Sequence, residues 1–139
     1  MADVHDKSTR SYNMSRIRAV DTKPELIVRK FLFSNGFRYR IHDSRLPGRP
    51  DIVLPKFNTV VNVHGCFWHG HDGCKYFVIP KTRREWWLAK IIRTKERDEI
   101  AISKLHSIGI QTVTIFECEL RAAERPETLN RLKQTLLNT

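Results

Sequence analysis

With 139 residues, the chain is long enough for one domain with a real core. Its 25 Lys and Arg outweigh 15 Asp and Glu, giving a formal charge of +10 spread along the whole sequence, so the folded surface attracts polyanions through phosphate contacts and counterion release. No stretch approaches the roughly 20 apolar residues of a membrane span, and charge alone is equally compatible with a solubilising surface or a general RNA binder.

The opening Met1-Ala2-Asp3-Val4-His5-Asp6-Lys7 is polar and lacks an apolar signal-like region, which points to a soluble, cytoplasmic protein. Next, Thr22-Lys23-Pro24-Glu25 has the pattern of a capping box with proline in the first turn. It predicts a helix through Leu26, Ile27, Phe31 and Leu32 that stops at Asn35-Gly36. Phe37, Tyr39 and Ile41 alternate with Arg38 and Arg40, the period of a strand with one apolar and one basic face. After the turn Leu46-Pro47-Gly48-Arg49-Pro50, two β-branched runs, 51–54 and 59–63, flank Pro55-Lys56-Phe57-Asn58 and read as a hairpin. In such an antiparallel pair Asp51, at one strand's start, neighbours His64, at the other's end.

Further on, Thr82-Arg83-Arg84-Glu85 repeats the capping pattern and opens a helical region through Leu88, Ile91 and Ile92, continuing after a break toward Ile102 and Leu105 and ending at Gly109. A β-branched strand at 110–116 carries Cys118 just beyond it, and 126–137 closes the chain as an amphipathic helix. The expected class is α/β, a small mixed sheet flanked by helices with the reactive residues at strand ends.

Those residues concentrate in His64-Gly65-Cys66-Phe67-Trp68-His69-Gly70-His71-Asp72-Gly73-Cys74. Cys66, His71 and Cys74 are close enough for one loop to wrap a tetrahedral zinc, with Cys118 as fourth ligand. Three cysteines cannot all pair within one chain, and in a reducing compartment their clustering with histidines favours metal over disulfide. Three thiolates and one imidazole would close the shell, making the zinc structural; otherwise the cysteines are ordinary buried thiols. Asp51, His64 and His69 remain outside that shell. Phosphodiester hydrolysis needs a hard cation held by a carboxylate and a base for the attacking water, which Asp51 and a histidine could supply. Taken singly, Asp51 could equally cap a turn, and the histidines could be satisfied loop residues. Phe67 and Trp68, on a pinned surface loop, suit a wedge beside a weak base pair, because a mismatch lowers the cost of unstacking.

The opening string, Leu46-Pro47-Gly48-Arg49-Pro50-Asp51, the block from His64 to His69, and Glu117-Cys118 resemble the very-short-patch repair (Vsr) DNA mismatch endonucleases, in order along nearly the whole chain. That resemblance implies a restriction-endonuclease-like core and a bacterial, monomeric, nucleoid-associated enzyme. It would nick one strand 5′ of the thymine in a T·G mismatch, the product of 5-methylcytosine deamination, in double-stranded DNA. A functional link to a cytosine-5 DNA methyltransferase and to repair proteins follows. The resemblance makes Asp51 the ligand of catalytic Mg2+ together with the main-chain carbonyl of Val63. It makes His69 the group that works on the attacking water, His64 a support for the phosphate, and Glu25 a contributor through the metal's water shell. Structural Zn2+ falls to Cys66, His71, Cys74 and Cys118.

The same resemblance would add Trp87 to Phe67 and Trp68 as a third intercalating ring and make Met14 a probe of the opposite groove, from a basic arm expected at 1–20 ahead of an endonuclease domain at 21–139. Three departures stand out. Val63 replaces the family's common threonine, though a carbonyl ligand does not depend on its side chain. Asp72-Gly73 lengthens the zinc loop by one residue. The second acid and the lysine of the wider nuclease signature are replaced by Asn62-Val63-His64. Other outcomes are a nuclease of the same core with a different substrate, or a zinc module that binds nucleic acid without cutting it.

Overall fold

A computed structural model describes residues 21–139; the arm expected at 1–20, with Met14, lies outside the described residues. Helix α1, Lys23–Ser34, starts as its sequence dictates. Thr22 accepts a hydrogen bond from the Glu25 backbone N–H at 3.4 Å, and Pro24 sits in the first turn, where its missing N–H costs nothing. The reciprocal half of the capping box is displaced by one residue: Glu25 Oε2 accepts from the Asp21 N–H at 3.1 Å. Glu25 is buried, only 2 % exposed.

Four strands follow: β1 (Arg40–Ile41), β2 (Ile52–Leu54), β3 (Thr59–His64) and β4 (Gln111–Phe116), in that spatial order. The first three are antiparallel, whereas β4 runs parallel to β3 in register from Thr59 opposite Gln111 to His64 opposite Phe116. The hairpin expected between 51 and 63 is present. The strand expected across 37–41 is shorter, because Phe37 still completes the end of α1: its N–H donates to Leu32 O at 3.0 Å. Its ring packs edge-on against Phe57, 5.3 Å between centroids, while Ile41 at the sheet edge stays exposed.

Helix α2, Arg84–Ser107, crosses from β3 to β4 as one helix of 24 residues. The expected break is absent: Ile91 and Leu105, about four turns apart on one face, are both buried and hold its two ends down. Thr82 does not cap it either. The N-cap is Arg83 in a left-handed conformation, φ 57°, with no side-chain cap bond. A short 3-10 turn at Glu117–Leu120 then leads to α3, Arg125–Leu137.

The period-two pattern of the strands divides the core. Ile52, Leu54, Val61 and Ile115 face Val28 and Leu32 of α1 and Leu129, Leu132 and Leu136 of α3. Val53 and Val60 face Leu105 of α2 on the other side. The result is a mixed sheet between two helical layers. Among the described residues no helix is long and apolar enough to cross a membrane.

Candidate active site

Because β3 and β4 are parallel, the loop after β3 and the turn after β4 leave the same end of the sheet, and the antiparallel β2 begins there. Asp51, just ahead of β2, therefore meets β3: its Oδ2 accepts the Val63 N–H at 2.7 Å. Asp51, Val63, His64 and His69 line one cavity of about 320 Å³, together with Asp98 and Arg97 of α2. Burial pushes the Asp51 carboxyl up to about 6; the charge of Glu25 adds to this, while the Val63 hydrogen bond and the positive potential of His42 and His69 oppose it. An acid held at that cost, with a second acid near it, suits a bound cation.

His64 and His69 stack with ring centroids 3.7 Å apart and planes 4° from parallel. Burial, and then repulsion from His69, hold His64 down at about 4, against the pull of Asp98. Burial thus favours the neutral His64 imidazole, which can serve a phosphate as an N–H donor. His69 Nδ1 lies 2.7 Å from Asp98 Oδ2. Neither Asp98 nor Arg97 was singled out in the sequence, where they sit inside the charged run Glu96-Arg97-Asp98-Glu99. Their only signal is helical spacing: Thr94, Asp98 and Ala101 fall on one face of α2 and line the cavity. Glycine at 48, φ 76°, lets the turn before Asp51 press on that face; a Cβ there would lie 2.6 Å from Ala101 Cβ.

Cys66, His71, Cys74 and Cys118 each present a ligand atom within 4.8 Å of the others. Cys118 Sγ is 3.4 Å from His71 Nδ1, close to the edge of about 3.6 Å that a tetrahedral zinc imposes between sulfur and nitrogen. Burial, together with the neighbouring thiols, pushes Cys118 up to about 12, and burial raises Cys66 as well. Such a crowd of sulfur is suited to a divalent cation that compensates the thiolates. The four residues can therefore hold a metal. The loop is pinned twice more: Lys95 Nζ binds Asp72 Oδ1 at 3.0 Å, and Gly70 packs where a Cβ would meet Ile91 at 2.7 Å.

Phe67, Trp68 and Trp87 form a mutual triangle, with centroids 5.2 to 5.8 Å apart. Trp68 is 49 % exposed. Trp86, unremarked in the sequence, extends the group: it lies 4.7 Å from Trp87, half-exposed, with Arg83 and Lys90 over its ring. An apolar cluster left open among cations matches stacked bases beside phosphates.

Carboxylate, paired histidines and guanidinium at the end of a sheet suit phosphodiester hydrolysis under a hard cation, which places the chain in the class of metal-dependent nucleases. Comparison with known proteins agrees: the profile of the DNA mismatch endonuclease Vsr family matches residues 2–75. The chain is 49 % identical over 133 residues to the type II nicking enzyme V.NmeAIP of Neisseria meningitidis, covering 95 % of this chain and 94 % of that one. It is 46 % identical over 125 residues to the DNA mismatch endonuclease Vsr of Escherichia coli, covering 90 % and 80 %. To the type II nicking enzyme V.XorIIP of Xanthomonas oryzae it is 42 % identical over 120 residues, covering 86 % and 88 %. This chain belongs to the Vsr family of DNA mismatch endonucleases and is a nuclease acting on DNA phosphodiester bonds.

Proposed function

We propose that the protein nicks one strand of double-stranded DNA 5′ of the thymine in a T·G mismatch, with Mg2+ at Asp51 and the Val63 carbonyl and structural Zn2+ at Cys66, His71, Cys74 and Cys118. The sheet, with β4 parallel to β3 at the strand that carries the site, is taken as a restriction-endonuclease-like core. The observation that carries the proposal is the meeting of Asp51 with the His69–Asp98 pair in one cavity.

When bound, magnesium supplies positive charge to the scissile phosphate and to the water that attacks it. The remaining work belongs to the chain. Asp98 accepts the Nδ1 proton of His69, so the lone pair stands on Nε2 and takes the proton from water. Neutral His64 and the Arg97 guanidinium steady the phosphate oxygens. Phe67, Trp68 and Trp87 enter beside the mismatch, whose weaker stacking makes insertion cheaper than in a matched duplex. Residues 1–20 act as a basic arm on residues 21–139, with Met14 at the opposite groove. The enzyme works as a monomer in the cytoplasm, on sites left by a cytosine-5 DNA methyltransferase.

The test is strand-specific cleavage of an end-labelled duplex with one T·G pair in varied contexts, with magnesium or EDTA, beside the matched C·G duplex. A magnesium-dependent nick confined to the thymine strand is expected. Cleavage of matched and mismatched duplexes alike, or of neither, would overturn the assigned substrate.

A further inference from the structure

Beside the cavity lies a residue to which the mechanism gives no task. His42 follows β1 directly and adopts φ 47°, a left-handed conformation that side chains other than those of Asn and Asp rarely take. Two hydrogen bonds hold it there. Its backbone N–H donates to the Asp51 carbonyl at 3.1 Å, carrying the β1–β2 ladder one residue past its last pair, Ile41 opposite Ile52. Its ring Nε2 lies 3.0 Å from Glu25 Oε2, with both side chains largely buried. A carboxylate only accepts, so the imidazole donates from Nε2. Both contacts of Glu25 fall on Oε2, the other coming from the Asp21 N–H; among the described residues no hydrogen bond occupies Oε1.

We infer that His42 is a positioning residue: its ring fixes the Glu25 carboxylate while its main chain fixes Asp51, so that the two acids face one cation at a set spacing. The inference rests on the role proposed for Asp51 and on the one the family resemblance gives Glu25, a contribution through the metal's water shell. The two acids come from separate places in the chain, Glu25 from α1 and Asp51 from the residue just ahead of β2, and their charges repel. His42 is in contact with both. A partner that orients the groups around a metal commonly matters nearly as much as the ligands themselves.

The test compares His42→Asn, His42→Gln and Glu25→Gln in single-turnover nicking of a T·G duplex over a magnesium titration, with DNA affinity and Tm measured alongside. Asparagine tolerates the left-handed backbone, but its amide stops one bond short of Glu25, whereas the glutamine amide reaches it. His42→Asn should lower the rate about tenfold or more and raise the magnesium needed, with unchanged DNA affinity, and His42→Gln should recover to within about threefold of the original. Added to Glu25→Gln, His42→Asn should cost nothing further. A normal rate and magnesium requirement in His42→Asn would overturn the inference. So would equal losses in both His42 variants, with or without a lowered Tm, or a loss that persists undiminished beside Glu25→Gln. A normal rate in Glu25→Gln alone would instead remove the role the resemblance gives Glu25, leaving the His42 bond purely structural.

Discussion

His69 and Asp98 are 29 residues apart in sequence and 2.7 Å apart in space, joining the loop after β3 to the middle of α2. The pair sets which imidazole nitrogen carries the proton. Asp98→Asn, which keeps the size but offers an amide, should slow nicking about 100-fold or more while leaving DNA binding intact. Single-turnover cleavage beside a mobility-shift titration separates the two effects. An unchanged rate would mean that the pair only tethers the loop.

Asp51 gives the enzyme a pH limb. Its carboxyl is held at about 6, so a proton competes with the cation below that pH. At subsaturating magnesium, nicking should fall about tenfold for each pH unit below 6 and be recovered by raising magnesium. The stability effect has the opposite sign from that of a salt-bridged acid. With a folded value of about 6 above the usual aspartate value of 3.8, this group favours the metal-free fold at low pH and loses that contribution as pH rises through the window between them. Asp51→Asn should accordingly abolish nicking yet raise the metal-free Tm by about 5 °C at neutral pH, measured by calorimetry. A lower Tm would contradict the burial argument.

Removing one ligand from the sulfur cluster should act on folding. Cys118→Ala is expected to lose the zinc proposed for this cluster and to lower Tm by about 10 °C or more, the shift that about 3 kcal/mol produces in a domain of this size. Metal analysis and thermal melting, repeated on the parent protein with a strong chelator, provide the check. Retention of both Tm and activity after stripping would reduce the four residues to ordinary thiols and an imidazole.

Trp68 is half in solvent, so its loss should cost little stability. Trp68→Ala should instead weaken binding to a T·G duplex by about tenfold or more, the scale of one lost base–aromatic stack, and affect a matched duplex less. Fluorescence titrations on both duplexes give the ratio; equal losses on the two would remove the ring from mismatch selection.

Much of this was legible in the chain because the signals are local. Thr22 and Pro24 announce α1, the β-branched runs around Pro55–Asn58 announce the hairpin, and hairpin geometry alone brings Asp51 to His64. The cluster of three cysteines and one histidine that could hold a metal announces itself by chemistry. Asp98 and His42 did not, since each acquires meaning only from a partner distant in sequence, His69 for one and Glu25 for the other. A charged residue on a helix face looks the same whether it meets water or an imidazole. The missing break in α2 has a similar origin: its polar middle faces the cavity, and periodicity cannot separate that from solvent.

The parallel pairing of β3 with β4 also sets when activity can arise during synthesis. A nascent chain exposed as far as Cys74 already contains Glu25, Asp51, His64 and His69, but β3 still has a bare edge, and the partners Asp98 and Cys118 have yet to emerge. The histidine can pair once Asp98 has emerged, but the loop can be clamped by Cys118 and β3 covered by β4 only when the last quarter of the protein is delivered. A chain that ends before β4 therefore lacks both the neighbour of β3 and the Cys118 thiol.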